Sequence, residues 1–269
     1  MPARPVGELL RGWRRRRRLS QLELSHLVEV STRHLSFVET GRSRPTPQLI
    51  LRLSEHLDVP LRERNQLLLA GGFAPAYPEH GLAAPELVAV RDALGAVLRA
   101  HLPHPALLLD RWWDLLDAND AVAPLLERVD PDLLVPPVNV LRLTLHPGGL
   151  APRITNLAQW RAHLMRRLRE RSGRTGDPRL RALAAELDGY PGGADGREEP
   201  PGAAGVVVPL RIRVEGAELS LFSVTSHVAT AADVTVDELE LETFLPADEM
   251  TAAALRRPRA EGGGGPATR

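Results

Sequence analysis

A run of hydrogen-bonding side chains lies in residues 31–44. If Thr32 to Thr40 form a helix, Leu35 and Val38 share one face, and Arg33 lies on the opposite face. An exposed guanidinium is a planar fork of N–H donors, and it can donate two hydrogen bonds to the O6 and N7 atoms of guanine. Such a pair is worth about 1–3 kcal/mol of discrimination between bases. These residue types therefore indicate base recognition in DNA.

The neighbouring polar residues divide into two groups. Some accompany Arg33 on the outer face of the helix, where Phe37 suits either a thymine methyl group or partial burial against a loop. Others suit phosphates, which fix the position of a protein on DNA without reading its sequence. The residues predicted to contact DNA are Arg14, Arg18, Gln21, Thr32, Arg33, His34, Ser36, Phe37, Arg42 and Arg44.

Charge is distributed unevenly along the chain. The 269 residues carry no net charge, and every one of the 34 basic residues is arginine. Residues 1–80 nevertheless carry a net charge of +5 and the remainder a net charge of −5. A basic segment joined to an acidic one is expected when only one domain contacts phosphate.

Five helices are predicted to position the basic segment. The first covers residues 6–18, the second begins after the capping box of Ser20 and Glu23, and the third is Thr32 to Thr40. A fourth begins near Pro47 and a fifth covers about Leu61 to Ala70. Two helices joined by a short turn, the second exposing hydrogen-bonding side chains, are the geometry of a helix-turn-helix.

The stretch Leu19 to Thr46 resembles the Xre/Cro family of helix-turn-helix domains, in its S-Q-x-E-L start and its E-x-G-R-x-x-P exit. The resemblance implies that the third helix enters the major groove of double-stranded DNA. It also implies a structural Glu39 paired with a nearby arginine, for which Arg42 is a candidate. Glu29 stands where the family usually has a glycine with positive φ, a conformation that costs other residues about 1 kcal/mol.

The rest of the chain mixes helices and strands. Residues 105–119 are predicted to form a β-hairpin, Val138 to Leu145 a strand, and three later strands cover Val206–Val214, Leu219–Val228 and Leu239–Leu245. Glu240 and Glu242 are expected to face outward. A helix after Asn156 is predicted to bury Trp160 and Leu164 and to expose Arg161, Arg166, Arg167 and Arg169, and another follows Asp177-Pro178.

Residues 106–257 resemble the MmyB-like ligand-binding domain, most clearly in 107–119, 139–147 and 218–256. This resemblance implies a PAS-like fold around an apolar pocket and, in some members, a fatty-acid-like ligand. The side chains expected to line a pocket, or simply to form a solid core, are Trp112, Trp113, Leu143, Trp160, Leu164, Leu221 and Phe222. Arg142 or His227 is a candidate partner for a ligand carboxylate.

Several other functions find no support in the sequence. The chain lacks cysteine, which excludes disulfides and thiolate metal sites, and it lacks the H-E-x-x-H, G-x-S-x-G and P-loop motifs. His101 and His104 have no third ligand in a recognisable pattern, and DVTVDELELE lacks the spacing of a calcium loop. No apolar run approaches the ~20 residues that span a bilayer, and the basic N-terminus lacks the apolar segment of a signal peptide. We therefore expect no catalytic residue, metal, cofactor or membrane association.

The predicted fold is an all-α five-helix helix-turn-helix domain (1–72), a linker (73–84) and an α+β PAS-like domain with an antiparallel sheet (85–256). Residues 189–205 are predicted to form a mobile loop and 257–269 a disordered tail. The predicted function is that of a cytoplasmic, nucleoid-associated regulator that binds DNA as a homodimer and responds to a small apolar ligand. Two alternatives remain: a second domain that serves only dimerisation or partner binding, and a DNA-tethered enzyme.

Overall fold

A computed structural model describes residues 4–192 and 207–257. The chain divides into two compact units. Unit 1 contains Met1–Arg91, Leu168–Arg181 and His227–Leu239, and unit 2 contains the remaining segments. Unit 1 therefore combines the predicted helix-turn-helix with two short pieces from the second half of the chain.

Five helices open unit 1, as the sequence predicts. They are α1 (Val6–Arg16), α2 (Gln21–Leu27), α3 (Thr32–Glu39), α4 (Pro47–His56) and α5 (Leu61–Ala70). The Ser20 hydroxyl accepts from the backbone N–H of Glu23, whose carboxylate accepts from the N–H of Ser20, so the predicted capping box is present. Ser31 and Thr46 cap α3 and α4 through their hydroxyls.

The core of the helical region is built from leucine, isoleucine, valine and Trp13 side chains of α1 to α5. Gly7 allows α1 to approach α3, because a Cβ atom there would lie 2.2 Å from the carbonyl oxygen of Val38. Glu29 has a φ of 53° in the turn before α3. The predicted positive φ at a non-glycine residue is thus present.

Distant segments of the chain pack on α5. Asn65 donates to the carbonyl oxygen of Tyr77 at 2.7 Å and accepts from two backbone N–H groups, which holds the start of the predicted linker. Arg62 forms two hydrogen bonds with Glu238, at 2.7 and 3.0 Å. His80 bonds Asp233 at 2.8 Å through its Nδ1 atom. Residues 233–238 are therefore part of the same compact unit as α5.

After α5 the chain alternates between helices and strands. These elements are α6 (Val88–Ala100), β1 (Ala106–Leu109), β2 (Leu115–Ala118), α7 (Ala123–Leu126), α8 (Val140–Leu145), α9 (Leu157–Thr175), α10 (Pro178–Asp188), β3 (Leu210–Val214), β4 (Ala217–His227), α11 (Val234–Asp237), β5 (Glu240–Pro246) and α12 (Glu249–Arg256). Short 3₁₀ turns lie at Pro85–Leu87, Asp120–Val122, Pro131–Leu134 and Ala151–Arg153.

The strands form one five-stranded sheet with the order β2-β1-β5-β4-β3. The predicted hairpin is present as the antiparallel pair β1 and β2, and β3 pairs antiparallel with β4 across the turn at Glu215-Gly216. Strand β1 also pairs antiparallel with β5, so Leu107 lies opposite Glu242. The α+β architecture with an antiparallel sheet is confirmed.

The prediction of a strand over Val138 to Leu145 is wrong. Residues Val140–Leu145 form α8, because the Asn139 side chain accepts from the backbone N–H of Arg142 and caps a helix. A short apolar run fits a buried helix as well as a buried strand, and the capping residue decides between them.

The predicted outward orientation of three charged residues is also wrong. Glu240 and Glu242 are buried on β5, where they accept hydrogen bonds from Arg167. Arg161 is buried and donates to the carbonyl oxygen of Leu187 at 2.6 Å. Buried charges require such partners, and alternation of charged and apolar residues does not reveal them.

Two predicted flexible segments lie mainly beyond the described part of the chain. Residues 193–205 of the predicted loop and 258–269 of the predicted tail are outside the described residues. None of the described helices combines the length and apolar character needed to cross a membrane.

Candidate functional site

The outer face of α3 groups two arginines around one aromatic ring. The guanidinium carbon of Arg33 lies 5.3 Å from the centroid of Phe37, and that of Arg42 lies 5.9 Å from the same ring. Both arginines are exposed, whereas Phe37 is half-buried. Cation–π contacts at these distances hold the guanidinium groups in place while leaving their N–H donors open to a ligand.

A buried polar network supports α3 from behind. Arg14 donates from Nε and Nη2 to the two carboxylate oxygens of Glu39, at 2.6 and 2.8 Å. Gln21 donates to the same carboxylate at 2.8 Å. The expected pairing of Glu39 with Arg42 is therefore wrong, since Arg14 and Gln21 of α1 and α2 are the partners. In this structure Arg14 is buried and Gln21 is half-buried, and both donate to a carboxylate of the domain.

The remaining predicted DNA contacts lie in different surroundings. Thr32 shares a hydrogen bond of 2.9 Å with Ser25, which joins α3 to α2. His34 and Ser36 are half-buried on α3, and Arg18 is exposed. Arg44 is exposed as well, but it donates to the carbonyl oxygen of Gly71 at 3.1 Å. Of the predicted residues, Arg33 and Arg42 are thus the exposed arginines that contact the Phe37 ring of α3.

Part of the arginine run at the end of α1 serves the fold. Arg17 donates to the carbonyl oxygens of Leu57 and Asp58, at 2.8 and 2.6 Å, which satisfies the C-terminal end of α4. Arg16 lies over the ring of Trp13 at 4.0 Å. Burial lowers the pKa of both guanidinium groups, but arginine remains charged.

Unit 2 contains an apolar cavity of about 70 Å³. Side chains from the sheet, α8 and α9 form its walls. The lining residues are Pro105, Leu107, Leu115, Val122, Leu125, Leu126, Val140, Leu141, Leu143, Thr144, Leu150, Trp160, Leu164, Leu210, Glu242 and Phe244. An apolar pocket with a few polar groups is the usual form of a small-molecule site.

One wall of the cavity carries a partly buried ion pair. Arg167 donates to Glu242 at 3.0 Å, to Glu240 at 2.9 Å and to the Thr225 hydroxyl at 3.1 Å. Trp160, Leu164 and Arg167 are spaced i, i+4, i+7 and therefore share one face of α9. That face brings two lining side chains and the partner of Glu242 to the same side of the helix.

The predicted ligand residues are only partly brought together. Leu143, Trp160 and Leu164 line the cavity. The cavity lining does not include Trp112, Trp113, Leu221, Phe222, Arg142 or His227.

Arg142 has a partner outside the cavity. It forms two hydrogen bonds with Glu186, at 2.6 and 2.7 Å. Arg142, assisted by the Tyr190 hydroxyl and opposed by partial burial, lowers the pKa of Glu186 to about 2. The guanidinium that seemed suited to a ligand carboxylate is thus neutralised by a carboxylate of the protein.

Glu242 and Arg167 were not predicted from the sequence as site residues. The available signal was the i, i+7 spacing of Arg167 from Trp160, which places an arginine on the inner face of an otherwise apolar helix. Within the described ranges, no group of three or more histidine, aspartate or glutamate side chains is arranged to hold a metal ion.

Comparison with known families assigns a description to both parts of the chain. Residues 5–67 match a family model described as a helix-turn-helix domain. Residues 90–257, more than half of the chain, match the model of the MmyB-like transcription regulator ligand binding domain. No curated protein matches the chain at a significant level.

Proposed function

Because the chain belongs to the MmyB-like transcription regulators, a DNA-binding family, we propose that it reads double-stranded DNA through α3 as a homodimer. We further propose that a small, fatty-acid-like apolar molecule in the cavity of unit 2 controls this binding. The observation that carries the first proposal is the exposed pair Arg33 and Arg42 on one ring of α3. Its action is binding, with no catalytic step.

Arg33 and Arg42 are expected to have different roles in DNA binding. Arg33 lies in the first turn of α3, which is the part of a recognition helix that contacts base edges. Arg42 follows the helix and is placed for a phosphate, which carries charge but no sequence. Removing Arg33 should therefore relax specificity at one base position, whereas removing Arg42 should weaken binding to all sequences equally.

The experiment is selection of operators from a randomised DNA pool, followed by titration of the selected DNA at several salt concentrations. Arg33→Lys keeps the charge but loses the planar fork, so the preference at one position should fall while the salt dependence stays the same. Arg42→Ala should keep the preference and reduce the slope of log K against log salt by about 1.8, because each subunit of the dimer loses one phosphate contact. Unchanged preference and unchanged slope in both variants would refute the placement of α3 on DNA.

The ligand proposal depends on the cavity and on its apolar walls. Mass spectrometry of the intact, freshly purified protein under native conditions should reveal a bound apolar molecule, and Leu164→Trp should abolish it by filling the cavity. Leu219→Trp is the matched control, because Leu219 is also a buried leucine of unit 2 but does not line the cavity. If native mass spectra show no bound apolar molecule, and none binds when added, the sensing role proposed for the second domain is contradicted.

Dimerisation has its own support. Single helix-turn-helix domains read few base pairs, and pairing two of them doubles the site. Val97 near the end of helix α6 has 44% of its surface accessible, and Leu102, which follows the helix, has 45%. Exposed apolar side chains near one end of a helix are a candidate interface between two copies. A monomer in light scattering, with or without operator DNA, would contradict the proposal.

The same exposed residues favour a second candidate function, in which the C-terminal domain serves only dimerisation or partner binding. In that case Val97→Asp should abolish both dimerisation and DNA binding, while apolar molecules should have no effect on either. If a ligand alters DNA binding, sensing is the better description. We place either activity in the cytoplasm, where a DNA-binding regulator meets its operator.

A further inference from the structure

Helix α9 continues from the cavity wall of unit 2 into unit 1. Trp160 and Leu164 line the cavity, and the division between the two units falls inside the helix, directly after Arg167. In unit 1, a Cβ atom placed on Gly176, just after the helix, would lie 3.2 Å from Nη1 of Arg16. One continuous segment therefore runs from the cavity wall to a side chain of α1.

Strand β5 makes a second connection of this kind. Glu242 and Phe244 line the cavity, and the division between the units falls directly before Glu240, the first residue of the strand. In unit 1, Glu238 forms two hydrogen bonds with Arg62 of α5. Glu242 follows Glu238 by four positions, so at most about 13 Å of extended chain separates the cavity wall from the contact with α5.

A cluster of ionic hydrogen bonds joins these two connections where they leave unit 2. Arg167 of α9 donates to Glu240 at 2.9 Å and to Glu242 at 3.0 Å, and it also donates to the Thr225 hydroxyl at 3.1 Å. Glu240 and Glu242 are buried, and Arg167 is half-buried. Because charge-assisted hydrogen bonds of this length are directional, this Arg167 cluster (Arg167, Glu240 and Glu242) holds α9 and β5 in one relative position.

In unit 1, the helices that receive these connections belong to the DNA-binding region. Arg14 of α1 donates to both carboxylate oxygens of Glu39 on α3, and Gly7 lets α1 approach the backbone of Val38. Coupling between distant sites is carried by packed side chains, hydrogen-bond networks and rigid helices. A displacement of α1 would therefore reach α3, the proposed recognition helix.

We infer that the Arg167 cluster transmits occupancy of the cavity to the DNA-binding unit. A molecule in the cavity contacts α9 and β5, and the cluster makes these two elements move together, so that their continuations toward α1 and α5 are displaced as well. Without the cluster, each element adjusts separately and the displacement is absorbed within unit 2. Arg167 is thus a positioning residue. The inference rests on the proposed function, in which occupancy of the cavity controls DNA binding.

A substitution that fills the cavity can stand in for an occupant. Leu125→Trp fills it from α7, which lies wholly in unit 2. Leu164 is less suitable here, because it lies one turn from Arg167 on α9 and would perturb the cluster directly. Leu219→Trp is the matched control, because Leu219 is buried in unit 2 but does not line the cavity.

The experiment is a double-mutant cycle on the affinity of the full chain for its selected operator, measured by fluorescence anisotropy. The cluster is removed by Arg167→Met together with Glu240→Gln and Glu242→Gln, which leaves neither carboxylate buried without Arg167. With the cluster intact, Leu125→Trp should change the operator Kd at least about fivefold, the lower end of typical allosteric couplings. Without the cluster, the change should be less than about twofold, and Leu219→Trp should have little effect in either background.

The possible results separate this inference from the proposed function. A merely structural cluster would alter the operator Kd of the filled and unfilled proteins equally and leave the fivefold ratio intact, which would overturn the inference but not control by the cavity. If Leu125→Trp has no effect even with the cluster intact, control of DNA binding by the cavity is overturned, and the inference with it.

Two further variants keep the result interpretable if the uncharged cluster does not fold. Arg167→Lys keeps the charge but lacks the planar fork that reaches both carboxylates, so it should reduce the effect of Leu125→Trp at least about twofold. The control Arg142→Met with Glu186→Gln removes another arginine–glutamate pair of unit 2 outside the cavity lining, and it should keep the full effect. A full effect in Arg167→Lys would also overturn the inference.

Discussion

Replacing Glu39 by glutamine should destabilise the helix-turn-helix more than any exposed charge change. The Glu39 side chain is 1% exposed, and three donors from Arg14 and Gln21 converge on its carboxylate within 2.8 Å. Glutamine keeps one acceptor oxygen but leaves the buried Arg14 without a counter-charge. Breaking one side of a buried ion pair typically costs about 3–5 kcal/mol, so we expect about 3 kcal/mol here.

Hydrogen exchange followed by mass spectrometry on the full chain suits this prediction, because peptides from residues 5–67 report the opening free energy of this region alone. Glu55→Gln is the matched control, since Glu55 is exposed on α4. The double variant Arg14→Met with Glu39→Met should lose less stability than either single variant, because no unpaired buried charge remains. A double variant as damaged as the single ones would refute the charge-burial reasoning.

The same variants decide whether Arg14 also contacts DNA. If Arg14 only supports α3, the stable double variant should bind operator DNA with an unchanged salt dependence. If Arg14 contacts a phosphate, the slope of log K against log salt should fall by about 1.8 in that variant, since both subunits of the dimer lose the contact. Stability and DNA contact are thereby measured on one protein.

Three further perturbations test separate features. Glu29→Gly should stabilise the domain by up to about 1 kcal/mol and so raise its melting temperature, because φ there is 53°; an unchanged or lower melting temperature would contradict this. Since Arg142 lowers the pKa of Glu186 from 4.5 to about 2, the pair should stabilise the fold above pH 4.5 and lose its effect as the pH falls toward 2. The pair is partly exposed, which limits the effect to about 1 kcal/mol. In urea unfolding, the stability of Glu186→Gln should therefore fall less than that of the unchanged protein as the pH drops from 4.5 toward 2. Arg62→Met should remove the pair with Glu238 and increase hydrogen exchange in α5, whereas unchanged exchange would deny that pair a stabilising role.

The helix-turn-helix was predictable because its signals are local. Capping by Ser20, the positive φ of Glu29 and the arrest of α3 near Gly41 each depend on residues a few positions apart. The partner of Glu39 was not predictable in this way. Arg14 lies 25 residues away, and many arginines nearby carry the same charge and reach.

The cavity was less accessible to sequence reasoning for a different reason. Leu143, Trp160 and Leu164 were predicted from their apolar character, which is shared by lining residues and core residues alike. Glu242 was assigned to the outside because charged residues alternate with apolar ones on a half-exposed strand. In the structure both faces of β5 are covered, so the alternation carries no information about exposure.

The family boundaries and the compact units do not coincide, because contacts between distant parts of the sequence define the units. Residues 233–238 lie within the segment that matches the ligand-binding domain, yet they pack on α5. Pro60 precedes α5 and has no side chain that can cap it, so the Asp237 carboxylate accepts from the N–H of Leu61 at 3.2 Å instead. A carboxylate at the N-terminal end of a helix also interacts favourably with the positive end of the helix dipole. The first turn of α5 thus depends on a residue 176 positions away, and the folded DNA-binding unit includes sequence that the family boundary assigns to the ligand-binding domain.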